Sequence, residues 1–255
     1  MVLRRICVGC IVLFFACIGR SLADDACWQR LYDLIEHNAS SPHPTFTSYA
    51  EHGTIIEDDA PLLRFSQNVV YRDDGVAVIN DSRWSNPIIS NSVEPGPPLL
   101  GPYGTYRSVW LAQDENAPFP VIGNVRTHPR RTCITSENQN YAGRNTTRLD
   151  FPDAPTDRPT LQSLWFDPRS SEVLKVVVSG QVNFATVGTD PAPHLAEFQV
   201  EFEDIGAYTV VRHVTWRYAV KVFSQHATLF GEYYMDDYSF SDHAPSSVIG
   251  DLGKR

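Results

Sequence analysis

Leu174-Lys175-Val176-Val177-Val178-Ser179-Gly180-Gln181-Val182-Asn183-Phe184 decides the fold: its even positions are apolar or small, while Lys175, Ser179, Gln181 and Asn183 hold odd ones. Successive side chains of a strand point to opposite faces, so a period of two reads as a β-strand with one dry and one wet side. The same phase returns in Phe198, Val200 and Phe202 against Glu197, Gln199, Glu201 and Glu203. It returns again from Tyr208 through Val210, Val214, Trp216, Tyr218, Val220 and Val222. Strands patterned this way need a sheet with apolar cover on one side. What forms that cover sets the function.

Upstream, Leu164-Trp165-Phe166-Asp167-Pro168-Arg169-Ser170-Ser171 places turn formers between two apolar runs and reads as a hairpin. Gly206 marks a further turn, and Thr228 to Phe240 is rich in Tyr, Phe and Met. Nearer the start, Phe46 to Glu57 and Leu62 to Arg72 read as strands, the second with Leu63, Phe65, Val69 and Tyr71 in phase. Asp73-Asp74-Gly75 turns the chain into Val76 to Ile79. Pro87, Pro95, Pro97, Pro98 and Pro102 interrupt the pattern between Trp84 and Gly104, as expected of a lid, binding loop or insertion. Strand character resumes over Tyr106 to Leu111 and Val121 to Ile134. Asn138 to Arg158 reads as a second polar connection. Ten or so antiparallel strands result.

One helix is expected, from Asp24 to Asn38. Trp28, Leu31, Tyr32 and Ile35 recur at three- and four-residue spacing, Asp24 and Asp25 suit a helix N-terminus, and Pro42 follows its end. Tyr208 to Phe223 would extend roughly 50 Å at about 3.3 Å per residue, so that strand must curve or carry a bulge. A curved antiparallel sheet wrapped on one amphipathic helix is the expected fold: mainly β, with an N-terminal α-helix. A single helix cannot fill the whole concave side, which leaves volume for large side chains or for a ligand.

Arg4 and Arg5, the apolar run from Ile6 to Ile18, and Ser21-Leu22-Ala23 are the parts of a secretory leader. The run is too short for a spanning helix, which needs roughly 20 residues. Phe14-Phe15-Ala16 is a poor match to the segment that precedes a lipidated cysteine, so Cys17 is a weak candidate for acylation. Cys7, Cys10 and Cys17 leave with the leader. Cys27 and Cys133 remain, either paired in an oxidising compartment or as two free buried thiols. A bond across so long a loop would stabilise by roughly 4 kcal/mol in the chain-entropy model. Losing Arg4, Arg5 and Arg20 leaves 18 of 21 basic residues against 30 acidic ones, a formal charge of −12. Nucleic acid is therefore not an expected partner.

The order of leader, helix, long strands, the Leu164-Trp165-Phe166-Asp167-Pro168 to Lys175 hairpin, and Phe230-Gly231 before Tyr238-Ser239-Phe240 resembles the LolA-like lipoprotein-carrier superfamily. Asp74-Gly75 falls where that family turns after a strand, whereas its frequent Arg-Pro is replaced here by Ala60-Pro61. The resemblance implies a periplasmic half-barrel with a helical lid that shelters acyl chains. Lipoproteins as such are not implied. Accordingly the chain divides into a leader over 1–23, a single half-barrel domain over 24–245 with a Pro-rich insertion at 84–104, and a flexible tail over 246–255.

Trp28, Leu31, Ile35, Trp216 and Tyr218 are the candidates to line a cavity, with plain core as their alternative. Arg212, the one charge on the apolar phase of its strand, is either a ligand's head-group partner or the mark of a bulge. A hydrophobic small molecule or lipid is the expected partner, together with a membrane-bound delivery partner; no cofactor is expected. Neither His-Glu-x-x-His nor Gly-x-Ser-x-Gly occurs, and the eight histidines show no metal-ligand spacing, so no catalytic or metal residue is assigned. Asp236-Asp237 with Asp242, and Asp150 with Asp153 and Asp157, lack the ordered ligand loop that calcium favours. The sequons at Asn38, Asn80 and Asn145 matter only in a eukaryotic secretory pathway. Rival readings are an unrecognised hydrolase, an outer-membrane barrel, and a structural β-domain with a filled core. The amphipathic helix and long polar connections speak against the membrane barrel.

Overall fold

Asp58 and Asp59 both adopt positive φ, 45° and 67°, which lets a two-residue turn match the twist of the strands it joins. That turn connects β1 (Phe46–Glu57) to β2 (Ala60–Arg72), and β3 (Ala77–Trp84) pairs on the far side of β2. A meander follows: β4 (Ile134–Tyr141), β5 (Arg144–Asp150), β6 (Thr160–Phe166), β7 (Val173–Val182), β8 (His194–Ile205), β9 (Tyr208–Val222) and β10 (Gln225–Ser241). All belong to one antiparallel sheet in the order β3-β2-β1-β10-β9-β8-β7-β6-β5-β4. The sheet is curved and open, a half-barrel with β3 and β4 as its edges. Helix α1 occupies residues 25–38.

The computed structural model describes residues 25–38, 40–41, 43–73, 77–85, 102–103, 132–153, 160–182, 194–222 and 225–245. The expected leader at 1–23, the turn at Asp74-Gly75, the strands at 106–111 and 121–131, most of the Pro-rich insertion and the tail at 246–255 lie outside them.

One reading needs correction. The polar connection expected over 138–158 is in large part the β4–β5 hairpin, turned at Ala142 (φ 50°) and Gly143 (φ 78°). Here β4 is an edge strand with its side chains exposed or half-buried, while β5 buries only Thr146, Thr147 and Leu149, so the hairpin shows almost no apolar alternation. Its polar composition suits an edge, where exposed apolar residues would invite pairing with another chain.

Alternation in the other strands yields two faces. Leu164, Phe166, Val176, Val178, Val200, Phe202, Val211, Val214, Trp216, Tyr233 and Met235 meet in one buried cluster with Cys27, Trp28 and Leu31 of α1. Arg212 is the extra residue where β9 slips: Glu201 faces His213, Phe202 faces Val211, and Arg212 has no opposite number on β8. Its side chain is exposed on the outer face, 4.0 Å from Glu203. The bulge puts Val211, instead of Val210, on the inner phase.

Beyond His213 and Tyr234 the ladder between β9 and β10 stops. Pro102 and Tyr103, from the Pro-rich insertion, fill the opening: the Val211 N–H donates to the Pro102 carbonyl at 2.7 Å, and the Tyr238 hydroxyl donates to the Val211 carbonyl. Both backbone groups of Val211 are thereby satisfied away from the ladder. Tyr103 is buried and bonded to Thr47; burial pushes its phenol up to about 12, against the opposing effect of that hydrogen bond.

Candidate functional site

The inner face has two halves. In the first, α1 lies over β5 to β7. Cys27 is bonded to Cys133, which stands just before β4, and the Trp28 ring sits 5.3 Å from Phe151. Arg30 lies over the Phe166 ring at 5.8 Å. At the far end of the helix Asn38 is buried, and its side-chain amide donates to the carbonyls of Leu34 and of Ser171 in the β6–β7 turn, at 2.7 and 3.2 Å. The helix is thus tied to the sheet at both ends. Leu31 and Leu34 are buried completely between these ties, each worth about 1.5–3 kcal/mol of transfer free energy.

The second half is built from β1, β2, β3 and β10. Gly53 faces Phe65 and Tyr233, and Ile55 faces Leu63 and Gly231. On this wall Ile55, Phe65, Ile79 and Leu229 are only partly buried, as is Phe198 of β8 nearby. Trp216 reaches across from β9 to lie directly on Gly231: a Cβ on Gly231 would come within 2.1 Å of the indole, so only glycine leaves room there. Phe65 stacks on Trp84 at 5.4 Å and meets Tyr233 at 6.4 Å. The wall is therefore aromatic and preformed.

A polar group interrupts it. Glu51 of β1 stands opposite Gln67 of β2 and Met235 of β10, on the same phase as Tyr49, Gly53 and Ile55. Glu51 is 4% exposed and Gln67 7% exposed, and the Gln67 amide donates to the Glu51 carboxyl at 2.7 Å. Burial holds the Glu51 carboxyl above its ordinary value, with the Gln67 hydrogen bond pulling the other way. Tyr49, stacked on Tyr238 at 5.5 Å, is 3% exposed. Its phenol is raised well above the usual range by burial first, then by Glu51. Among the described residues, neither the Tyr49 hydroxyl nor the Gln67 side-chain carbonyl has a hydrogen-bond partner. A buried polar atom left without a partner costs roughly 1–3 kcal/mol, so this arrangement is expensive as a mere filler of the wall.

Of the residues singled out from sequence, Trp28 and Leu31 are buried under the helix-covered half, Ile35 is partly buried beside them, and Trp216 borders the open half. Arg212 lies on the opposite face from all of these. The side chain of Tyr218 lies outside the described residues. Sequence reading missed Tyr49, Glu51 and Gln67. Gln67 carries a usable signal, being the single polar residue on the phase Leu63, Phe65, Val69, Tyr71.

The outer face is chemically different. His213 lies between Glu232, 2.9 Å from Nε2, and Glu201, 3.4 Å from Nδ1, and stacks on Tyr234. Burial raises the Glu201 carboxyl, but the Lys175 ammonium and hydrogen bonds from Tyr141, Lys175 and His213 outweigh it, leaving Glu201 below its ordinary value. This is a satisfied cross-strand network of the kind that ties neighbouring strands together. At the flank of α1 a groove of about 470 Å³ is bordered by Ala26, Arg30, Thr135, Glu137 and Asn145, a largely polar set. Among the described residues no group of three or more His, Cys, Asp or Glu side chains is placed to hold a metal ion.

No protein-family model matches the chain, and no curated protein does either. Among solved structures it is similar to a DUF1329 family protein from Desulfovibrio piger, at TM-score 0.36 and 7% identity, over 91% of this chain and 99% of that one. It is also similar to a LolA superfamily protein from Nitrosomonas europaea, at TM-score 0.28 and 12% identity, over 85% and 96%. A third likeness is to the Pseudomonas aeruginosa MucA/MucB complex structure, at TM-score 0.23 and 10% identity, over 85% and 99%. These are likenesses of strand layout alone.

Proposed function

We propose that this is an exported, non-enzymatic protein that binds or carries a hydrophobic small molecule or lipid, with the acyl or alkyl part lying along the open half of the inner face. The observation that supports this most is the division of that face. One helix, locked down by a disulfide and a buried asparagine, covers only the half over β5 to β7, while the other half presents Ile55, Phe65, Ile79, Leu229 and Phe198 partly exposed. Ligand sites are typically preformed, apolar and dotted with a few placed polar groups. Export is supported by the leader-like start and by the Cys27–Cys133 bond, which suits an oxidising compartment. Delivery to a membrane-bound partner is the matching expectation for a carrier.

A second reading, a structural β-domain with a filled interior, is favoured by one observation: the Trp216 indole is seated tightly on Gly231. Native mass spectrometry and lipid extraction of protein purified without detergent separate the two. A co-purifying acyl-chain ligand, or saturable uptake of one, is expected; a protein that neither carries nor takes up such a molecule is the filled domain.

A further inference from the structure

Resting on the carrier reading, we propose that Tyr49, Glu51 and Gln67 form the site that recognises the polar end of the ligand, and that this end is uncharged and both donates and accepts hydrogen bonds, as a hydroxyl or amide on an alkyl chain does.

Three features place the site. Glu51 and Gln67 are directly opposed on β1 and β2, where facing side chains approach closely, and Tyr49 is the next inner-face residue of β1. All three are more than nine-tenths buried within the apolar wall. Phe65 and Gly53 follow on the same phase toward the partly exposed Ile55, so an alkyl chain lying on that stretch would have its polar end at Gln67.

Two features select the ligand's chemistry. The Gln67 amide group is engaged with Glu51, leaving its carbonyl as an acceptor, while the Tyr49 hydroxyl can donate. A ligand hydroxyl answers both, giving its proton to Gln67 and accepting from Tyr49; an amide does the same through its N–H and C=O. An anionic end has no counter-charge here, because the inner phases Thr47 to Ile55, Leu63 to Tyr71 and Gly231 to Met235 contain no Lys or Arg. A quaternary ammonium end is disfavoured because it can neither donate a hydrogen bond to the Gln67 carbonyl nor accept one from the Tyr49 hydroxyl.

The test measures displacement of diphenylhexatriene, a fluorescent hydrocarbon, from the full chain by monopalmitoylglycerol, hexadecyl phosphate and hexadecyltrimethylammonium. Monopalmitoylglycerol is expected to bind roughly tenfold more tightly than either charged probe. Tyr49→Phe and Gln67→Leu should each reduce that preference by about fivefold to tenfold, the effect of one lost hydrogen bond in a dry site. An outer-face control, Thr215→Ala, should leave it unchanged. Thermal unfolding of Tyr49→Phe supplies a second readout: removing a buried, unpartnered hydroxyl should leave the melting temperature level or higher, whereas a structural role predicts a fall. Equal affinity for all three probes, preference for the phosphate or the ammonium, or a preference that survives both substitutions overturns the proposal while the carrier reading stands. Failure of diphenylhexatriene itself to bind removes both.

Discussion

The two halves of the inner face belong to one sheet and one apolar phase, yet among the described residues one is covered by a helix and the other is not. Under α1 every large side chain meets a partner: Trp28 meets Phe151, Leu31 and Leu34 are wholly buried, and Asn38 closes the end on Ser171. Across β1, β2, β3 and β10 the aromatic residues pack on each other, but Ile55, Phe65 and Leu229 keep part of their surface, and the buried Glu51 and Gln67 sit among them. A sheet this wide cannot be covered by one helix of fourteen residues, 25–38. The covered half holds the fully buried side chains of the helix, and the other half holds the partly exposed apolar ones, which is where a low-stability opening of the fold is expected.

The largest change should come from unlocking the cover. Replacing Cys27 and Cys133 together by serine removes a link spanning 106 positions and should lower unfolding free energy by roughly 4 kcal/mol in urea titrations. A loss under about 1 kcal/mol would mean the helix is held by packing alone. Next in size is a matched pair of truncations. Leu31→Ala, beneath the cover, should cost about 2–5 kcal/mol, and Ile55→Ala, on the open half, about 1 kcal/mol, because a partly exposed side chain leaves little cavity behind. Equal losses would erase the distinction between the halves.

The smallest effect sharpens the contrast between inner and outer faces through pH. Glu51 is raised in the folded state, so folding keeps its proton to a higher pH than the unfolded chain does. Stability from this residue is full below the ordinary glutamate value and declines as pH rises through the raised one. Glu51→Gln should therefore gain stability relative to the parent as pH increases. Glu201, lowered in the folded state, contributes stability above the ordinary value and loses it as pH falls through the lowered one, so Glu201→Gln should close its deficit on acidification. Parallel pH profiles for the two variants would contradict the assigned environments.

Much of this architecture was legible in the chain. The alternation at Leu174 to Val182 is β7, the spacing of Trp28 and Leu31 is the buried stripe of α1, and Cys27 meets Cys133. Asn140, Asn145 and Arg144 misled because a hairpin at a sheet edge is wetted along most of its length and shows no period. Arg212 looked like an intruder on the dry side only because a bulge changes phase without changing composition. Gln67 is a true intruder, and its strand keeps its phase from Leu63 to Tyr71. Glu51 could not be found alone, since both phases of β1 mix polar and apolar residues, and its burial depends on Met235, contributed by the last strand.

The first and last strands are neighbours inside the sheet, third and fourth in its order, and this sets an order of assembly. β2 can pair with β1, and β4 through β9 can zip up in sequence, by contacts local to the chain, but the two blocks join only when β10 is in place. Until the final strand has been delivered, Gln67 and Val69 on one block and Val214 and Trp216 on the other face water. Such late, long-range closure makes for slow folding, and during that interval the nascent protein exposes apolar surface that the finished one buries.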